Sequence, residues 1–72
     1  MAKRLTIPEV RARRDMLEAM VQTRDYEAAG NEERQIWEDV LEAIRDGAPQ
    51  SKGLANNALA TRNIEFPRGY GA

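Results

Sequence analysis

The sequence predicts an all-α protein: a two-helix hairpin, with a short third helix as a further expectation, and an extended C-terminal tail. Three observations support this fold class. A capping box opens the first helix, an apolar stripe of helical period marks the second, and Gly, Pro or Asn interrupts every later run. The predicted organisation is therefore a basic lead over residues 1–5, a helical hairpin over 6–47, and a loop or short helix with an extended arm over 48–72.

The start of the first helix carries the clearest local signal. Thr6 and Glu9 have the spacing of a capping box, in which the threonine hydroxyl accepts from the Glu9 amide. Leu5 and Val10 occupy the two positions of a hydrophobic staple around that cap. Pro8 falls in the first turn, where its missing N–H is not needed. We expect a helix from here through Ala29, rich in Ala, Leu, Met, Glu and Arg.

Gly30 and Asn31 are the predicted break between the two helices. Glycine suits the left-handed residue that ends a helix, and asparagine suits the cap that begins the next. The second helix should then run to about Asp46, where Gly47 and Pro49 form a strong stop signal.

The second helix is strongly amphipathic. Its apolar stripe consists of Ile36, Trp37, Val40, Leu41 and Ile44, and its opposite face carries Glu38, Asp39, Glu42 and Asp46. If residues 6–46 formed one straight helix, the stripes of its two halves would point about 160° apart. A bend lets the stripes face each other, which favours the hairpin. A straight helix held between partners is the alternative.

The C-terminal third loses this regular pattern. Leu54, Ala55, Ala58 and Leu59 have spacings that predict a short helix over Leu54–Thr61. Beyond it, Ile64, Phe66 and Tyr70 are apolar anchors in a polar segment, and Pro67 favours extended backbone before it. Such a segment can lie in the groove of a neighbour. A frayed end, or a tail folded back over the hairpin, is the alternative.

The composition argues against catalysis. The chain of 72 residues contains no Cys and no His, so it lacks a thiol nucleophile, a disulfide and the commonest general base. Its carboxylates, such as Glu38 and Glu42, lie on a helix face that we expect to be solvated, and no Ca²⁺-loop motif is present. We therefore expect no enzyme activity, no cofactor and no metal site.

Two charge clusters suggest partners for the chain. Residues 1–14 carry five basic and one acidic side chain, whereas residues 25–46 carry eight acidic and two basic ones. A nucleic-acid contact would use Arg4, Arg11, Arg13 and Arg14. A small inhibitor or regulator, as phages encode, would instead present Glu38, Asp39 and Glu42 to a basic enzyme surface. A sequence pI near 5.4 weighs against the nucleic-acid hypothesis.

The favoured hypothesis is a non-catalytic protein–protein interaction protein, a structural or adaptor subunit that self-associates or docks on a larger assembly. Its partner-binding residues would be Trp37, Leu41, Ile64, Phe66 and Tyr70. The chain has no apolar run of the length required for a secretory signal or a membrane span, so we expect a cytoplasmic protein or a particle assembled in the cytoplasm. In size, N-terminal helix and Gly/aromatic tail it is similar to small joining proteins of phage heads, an analogy of general shape.

Overall fold

The computed structural model describes residues 5–68, and within that range the regular structure is entirely helical. Helix α1 spans Ile7–Gln22, α2 spans Tyr26–Arg45 and α3 spans Ser51–Leu59. A 3-10 helix over Ala60–Asn63 continues directly from α3, and the chain then runs without regular structure to residue 68. None of these helices is both long and apolar enough to cross a membrane.

The predicted beginning of α1 is confirmed. Thr6 is the N-cap in extended backbone, and its hydroxyl accepts from the Glu9 amide at 3.3 Å. The same hydroxyl donates to the Glu9 carboxylate at 2.9 Å. Leu5 and Val10 are both buried in the core, as expected for a staple that fixes the direction of entry into the helix.

The predicted break at Gly30 and Asn31 is wrong, because the chain turns six residues earlier. Arg24 adopts a left-handed conformation with φ 62°, and the turn is closed by its amide, which donates to the Val21 carbonyl. Asp25 then caps α2 by accepting from the Ala28 amide at 3.4 Å. Gly30 is buried inside α2, so the glycine does not mark a helix end here.

The end of α2 follows the prediction. The helix stops at Arg45, one residue before the predicted end, with Asp46 as its C-cap. Gly47 has φ 84°, the left-handed conformation that glycine adopts without steric strain. The following turn leads into α3, which begins at Ser51, three residues earlier than predicted.

The third helix makes the fold a three-helix arrangement and not a simple hairpin. α1 and α2 contact each other, as predicted, but α3 contacts both of them. The shared core contains Leu5, Val10, Leu17, Ala29, Ile36, Val40, Ala43, Leu54, Ala58 and Phe66. α3 packs closely on α1 at Gly53, where an added Cβ would lie 2.5 Å from Ile7 Cδ1 and would require that side chain to shift. Burying α3 enlarges the core that so short a chain can form.

Arg13 of α1 ties the first two helices together. Its guanidinium donates to Asp39 at 2.7 Å and to Glu32 at 3.2 Å, and Gln35 donates to the second oxygen of Asp39. Burial of Arg13 lowers its pKa, but the hydrogen bonds and charges of Asp39 and Glu32 outweigh burial, and the pKa is raised overall. Asp39 is only 3% exposed, so this network supplies the partners that a buried carboxylate requires.

Arg68 ties the C-terminal segment to α2. Two of its nitrogens each donate to one oxygen of Glu33 at 2.9 Å, a bidentate pair whose carboxylate is fully buried. The guanidinium also donates to the carbonyls of Thr61 and Ile64, and lies 4.0 Å from the centre of the Phe66 ring. Through residue 68 the predicted extended arm is therefore folded back on the helices.

Candidate docking groove between α2 and α3

A shallow apolar groove separates the outer parts of α2 and α3. Its volume is about 210 Å³, and its lining consists of Trp37, Val40, Leu41, Ile44, Ala55, Ala58 and Leu59. All of these side chains are hydrocarbon except for the indole nitrogen of Trp37. A groove with this composition can accept an apolar side chain, but it offers no group for acid–base or nucleophilic chemistry.

Trp37 is held in a fixed orientation at the groove. Its Nε1–H is shared between the Ala58 carbonyl at 3.0 Å and the Thr61 hydroxyl oxygen at 2.9 Å. The Thr61 hydroxyl in turn donates to the Ala58 carbonyl at 2.9 Å. Because its polar atom is already paired, the indole ring is left to make apolar contacts, both with the core and in the groove.

Leu41 and Leu59 stand on the two walls of the groove and remain largely in solvent. Leu41 on α2 is 66% exposed and Leu59 on α3 is 54% exposed. Single exposed leucines are common on protein surfaces. Two of them across an apolar groove form a contiguous patch, and a contiguous patch is the usual feature of a contact surface.

The structure separates the five residues that the sequence suggests for partner binding. Trp37 and Leu41 both line the groove. Phe66 lies in the core and is 9% exposed, and Ile64 packs against that core half-buried. The prediction that Phe66 is an exposed anchor is therefore corrected, because the Arg68–Glu33 pair holds this segment against the body. Tyr70 lies outside the described residues.

The predicted acidic face is smaller than expected. Glu38 and Glu42 are exposed on α2, as an acidic face requires. Asp39 is not part of that face, since it is buried against Arg13. Asp39 lies about 60° from Ile36 on the helical wheel, so it follows the apolar stripe into the interior.

The arginines of the predicted basic cluster also lie in different surroundings. Arg13 is engaged with Asp39 and Glu32 between the helices, so its guanidinium is not free for the predicted nucleic-acid contact. Arg11 donates to Asn57 of α3 at 3.2 Å, and Arg14 is half-buried. Arg4 lies outside the described residues. The structure therefore does not assemble these arginines into one open cationic surface.

Sequence reasoning missed the α3 wall of the groove, which is formed by Ala55, Ala58 and Leu59. A usable signal was present. Leu54 and Leu59 are five residues apart, so on a helix they point about 140° away from each other and cannot both be buried on one face. The structure buries Leu54 completely and exposes Leu59.

A second cavity, of about 440 Å³, lies where the C-terminal segment meets α2. It is lined by Tyr26, Glu27, Gly30, Asn31, Arg34, Pro67 and Arg68. This cavity is larger than the groove, but five of its seven lining residues carry a polar or charged group, and Arg68 is already bound to Glu33. Because Arg68 is one of its walls, we regard this cavity as the rim of that ion pair and the groove as the better candidate site.

Comparison of this chain with protein-family models, with curated proteins and with solved structures finds no match. Among residues 5–68, no cluster of three or more acidic side chains is placed to hold a metal ion.

Proposed function

We propose that the protein is a non-catalytic interaction protein, a structural or adaptor subunit that docks on another protein chain through the groove between α2 and α3. The observation that carries this proposal is the pair of exposed leucines, Leu41 and Leu59, on opposite walls of an apolar groove. An apolar centre with a polar rim is the usual anatomy of a protein–protein contact.

The rim of the groove has the expected polar character. On α2 the exposed side chains that follow the apolar residues are Glu38, Glu42 and Arg45. Charged groups at such a rim contribute more to partner choice and association rate than to affinity. The groove would supply the affinity, and the charges would select which chain enters it.

The fixed position of Trp37 supports the same function. Tryptophan is among the side chains that most often dominate the binding energy of an interface. Because Thr61 and Ala58 already hold its Nε1–H, little conformational freedom is lost when a partner covers the ring. A preorganised aromatic next to two exposed leucines provides the centre that a docking surface needs.

The other two hypotheses receive less support. An inhibitor that mimics nucleic acid needs a continuous acidic face, but Asp39 is neutralised inside the fold by Arg13. A nucleic-acid contact needs free arginines on one surface, but Arg13 is committed to that same pair. The residues that line the groove, in contrast, are not committed to the ion pairs of Asp39 or Glu33, so they are available to a partner.

The test is to replace both groove leucines with serine, Leu41→Ser with Leu59→Ser. The self-association of this tagged double variant, and its binding to other proteins, are then compared with those of the tagged wild type. Binding would be measured by light scattering of the pure protein and by affinity capture from cells of the source organism. Met16→Ser is the matched control, because Met16 is 60% exposed but lies on α1, away from the groove.

We expect the double variant to lose the associations that wild type makes, whether with itself or with other proteins, and the Met16→Ser variant to keep them. Circular dichroism would show that both variants remain folded, since exposed substitutions change stability by no more than about 0.5 kcal/mol. If the double variant associates as wild type does, the groove is not the docking surface.

A further inference from the structure

We propose that the occupant of the groove is a second copy of this chain, with the two α2 helices packed antiparallel. This inference rests on the proposed function, because it names the partner of the same surface. It follows from the order of apolar and charged residues along the outer face of α2.

The outer face of α2 has the spacing of a coiled-coil seam. Trp37, Leu41 and Ile44 are separated by four and three residues, as the inward positions of a heptad are. All three line the groove. In an antiparallel pair of such helices, each Leu41 packs against Ile44 of the second copy, and the two-fold axis repeats that contact.

The charges beside the seam favour this same register. Glu38 and Arg45 are seven residues apart, so they lie on one flank of the seam, about 20° from each other on the helical wheel. When Leu41 faces Ile44 of the second copy, Glu38 comes opposite the Arg45 of that copy. Two-fold symmetry makes a second, identical pair. The flank is therefore complementary to itself.

Both charged side chains are accessible for such a pair. Glu38 is exposed, and the Arg45 side chain is 70% exposed while it contacts the neighbouring Asp46 at 3.2 Å. Adjacent residues on a helix form only a weak pair in solvent, so Arg45 can turn to a new partner at little cost. A parallel pair would not bring these groups together, because it sets each residue level with the same residue of the other copy, and Glu38 and Arg45 are seven residues, about 10 Å, apart along the helix.

Self-association also answers the problem of size. A folded unit of 72 residues buries a smaller fraction of its unfolded surface than a larger domain does, and oligomerisation is one of the usual ways in which such small units gain stability. The groove exposes the apolar residues that a second copy would cover. A dimer would therefore bury the apolar side chains of the groove that the single chain leaves exposed to solvent.

The test is a charge-swap series on the full chain, with the dimer dissociation constant measured by sedimentation equilibrium at low salt. Glu38→Arg and Arg45→Glu each place like charges opposite each other twice. Each is expected to raise the dissociation constant by about tenfold, as the loss of two exposed pairs and their replacement by repulsion should. The combined variant, Glu38→Arg with Arg45→Glu, restores opposite charges and should dimerise like wild type.

Mixing the two single variants provides an independent check. One chain then carries two basic groups at these positions and the other two acidic groups, so the mixture should form a heterodimer more tightly than either variant forms a homodimer. The single tryptophan of the chain, Trp37, lies in the seam, and its emission should change with the same concentration dependence.

A wild-type chain that stays monomeric up to millimolar concentration would overturn the second-copy inference. So would a dimer in which the combined and mixed variants fail to recover. Neither result would refute the docking function itself, provided that the leucine-to-serine double variant still loses capture of a different protein. If that capture is unaffected as well, both proposals fail.

Discussion

The two faces of α2 are built in opposite ways. The inner face buries two carboxylates, Glu33 and Asp39, among apolar neighbours. The outer face leaves Leu41 in solvent and Trp37 partly covered. A rule that sends apolar residues inward and charged residues outward fails at three of these four positions. The difference shows that burial along this helix is decided by what the other segments bring to each face.

The inner face is stabilised by cations from distant parts of the chain. Arg13 comes from α1 and Arg68 from the C-terminal segment, and each makes more than one hydrogen bond to its carboxylate or to the groups around it. A buried ion pair adds little net stability, but removing one partner leaves an uncompensated charge and is strongly destabilising. The inner face thus joins α1 and the C-terminal segment to α2.

The largest effect should come from removing the cation that faces Glu33. We expect Arg68→Ala to lower the free energy of unfolding by about 3–5 kcal/mol, because Glu33 would remain buried without its partner. A chain of this length has a total stability of only about 4–11 kcal/mol. Urea unfolding followed by circular dichroism would measure the loss, and the C-terminal segment should become sensitive to proteases.

A double replacement keeps this prediction informative even if the single variant unfolds. Changing Glu33→Met together with Arg68→Met removes both charges at similar volume, which for buried pairs is often neutral or stabilising. The double variant should therefore be more stable than Arg68→Ala alone. If Arg68→Ala unfolds at the same urea concentration as wild type, the ion pair does not hold the C-terminal segment.

The local features of the fold could be predicted from the sequence. The cap at Thr6, the stop at Gly47 and the helical character of the central stripe depend on neighbours within a few residues, and the structure contains all three. The predicted position of the turn between α1 and α2 is wrong for a physical reason. Gly30 resembles a helix end, but Arg24 takes the left-handed conformation and Asp25 supplies the cap.

The long-range pairs could not be predicted in the same way. Glu33 and Arg68 are 35 residues apart, and Asp39 and Arg13 are 26 residues apart. A wheel places Glu33 within the stripe of Ala29, Ile36 and Val40, which signals a buried carboxylate but not the identity of its cation. Of the candidate site, Trp37 and Leu41 followed from the α2 pattern, whereas Leu59 depended on how α3 packs.

An intermediate effect is expected at the boundary between the two faces. Trp37→Phe removes the Nε1–H that Ala58 and Thr61 share, and we expect a loss of about 1–2 kcal/mol in the free energy of unfolding. The substitution keeps an aromatic ring at the groove. Thermal and urea unfolding by circular dichroism would report the change, since the variant has no tryptophan for fluorescence.

Thr61→Val provides the matched control for that bond. If the hydrogen bond to Thr61 carries the effect, the double variant should be less destabilised than the sum of the two single changes, because neighbouring residues that interact do not behave additively. Strict additivity would mean that the contact with the Thr61 hydroxyl does not carry the effect, which would then come from the bond to the Ala58 carbonyl or from the smaller ring.

The smallest effect on the monomer should come from the outer face itself. Leu41→Ala and Leu54→Ala make the same chemical change, but Leu41 is 66% exposed and Leu54 is completely buried. We expect Leu54→Ala to cost about 2–5 kcal/mol, the usual range for a buried leucine. Leu41→Ala should stay within about 0.5 kcal/mol of wild type, as exposed substitutions do.

The measurement must be made at protein concentrations below self-association, because a dimer that forms only from folded chains adds a concentration-dependent term to the stability. Repeating the urea titration at high concentration then separates the two roles of Leu41. If the groove binds a second copy, the difference between Leu41→Ala and wild type should grow with concentration, while the cost of Leu54→Ala at low concentration stays large. A Leu41→Ala variant as unstable at low concentration as Leu54→Ala would place Leu41 in the core and remove the contrast between the two faces of α2.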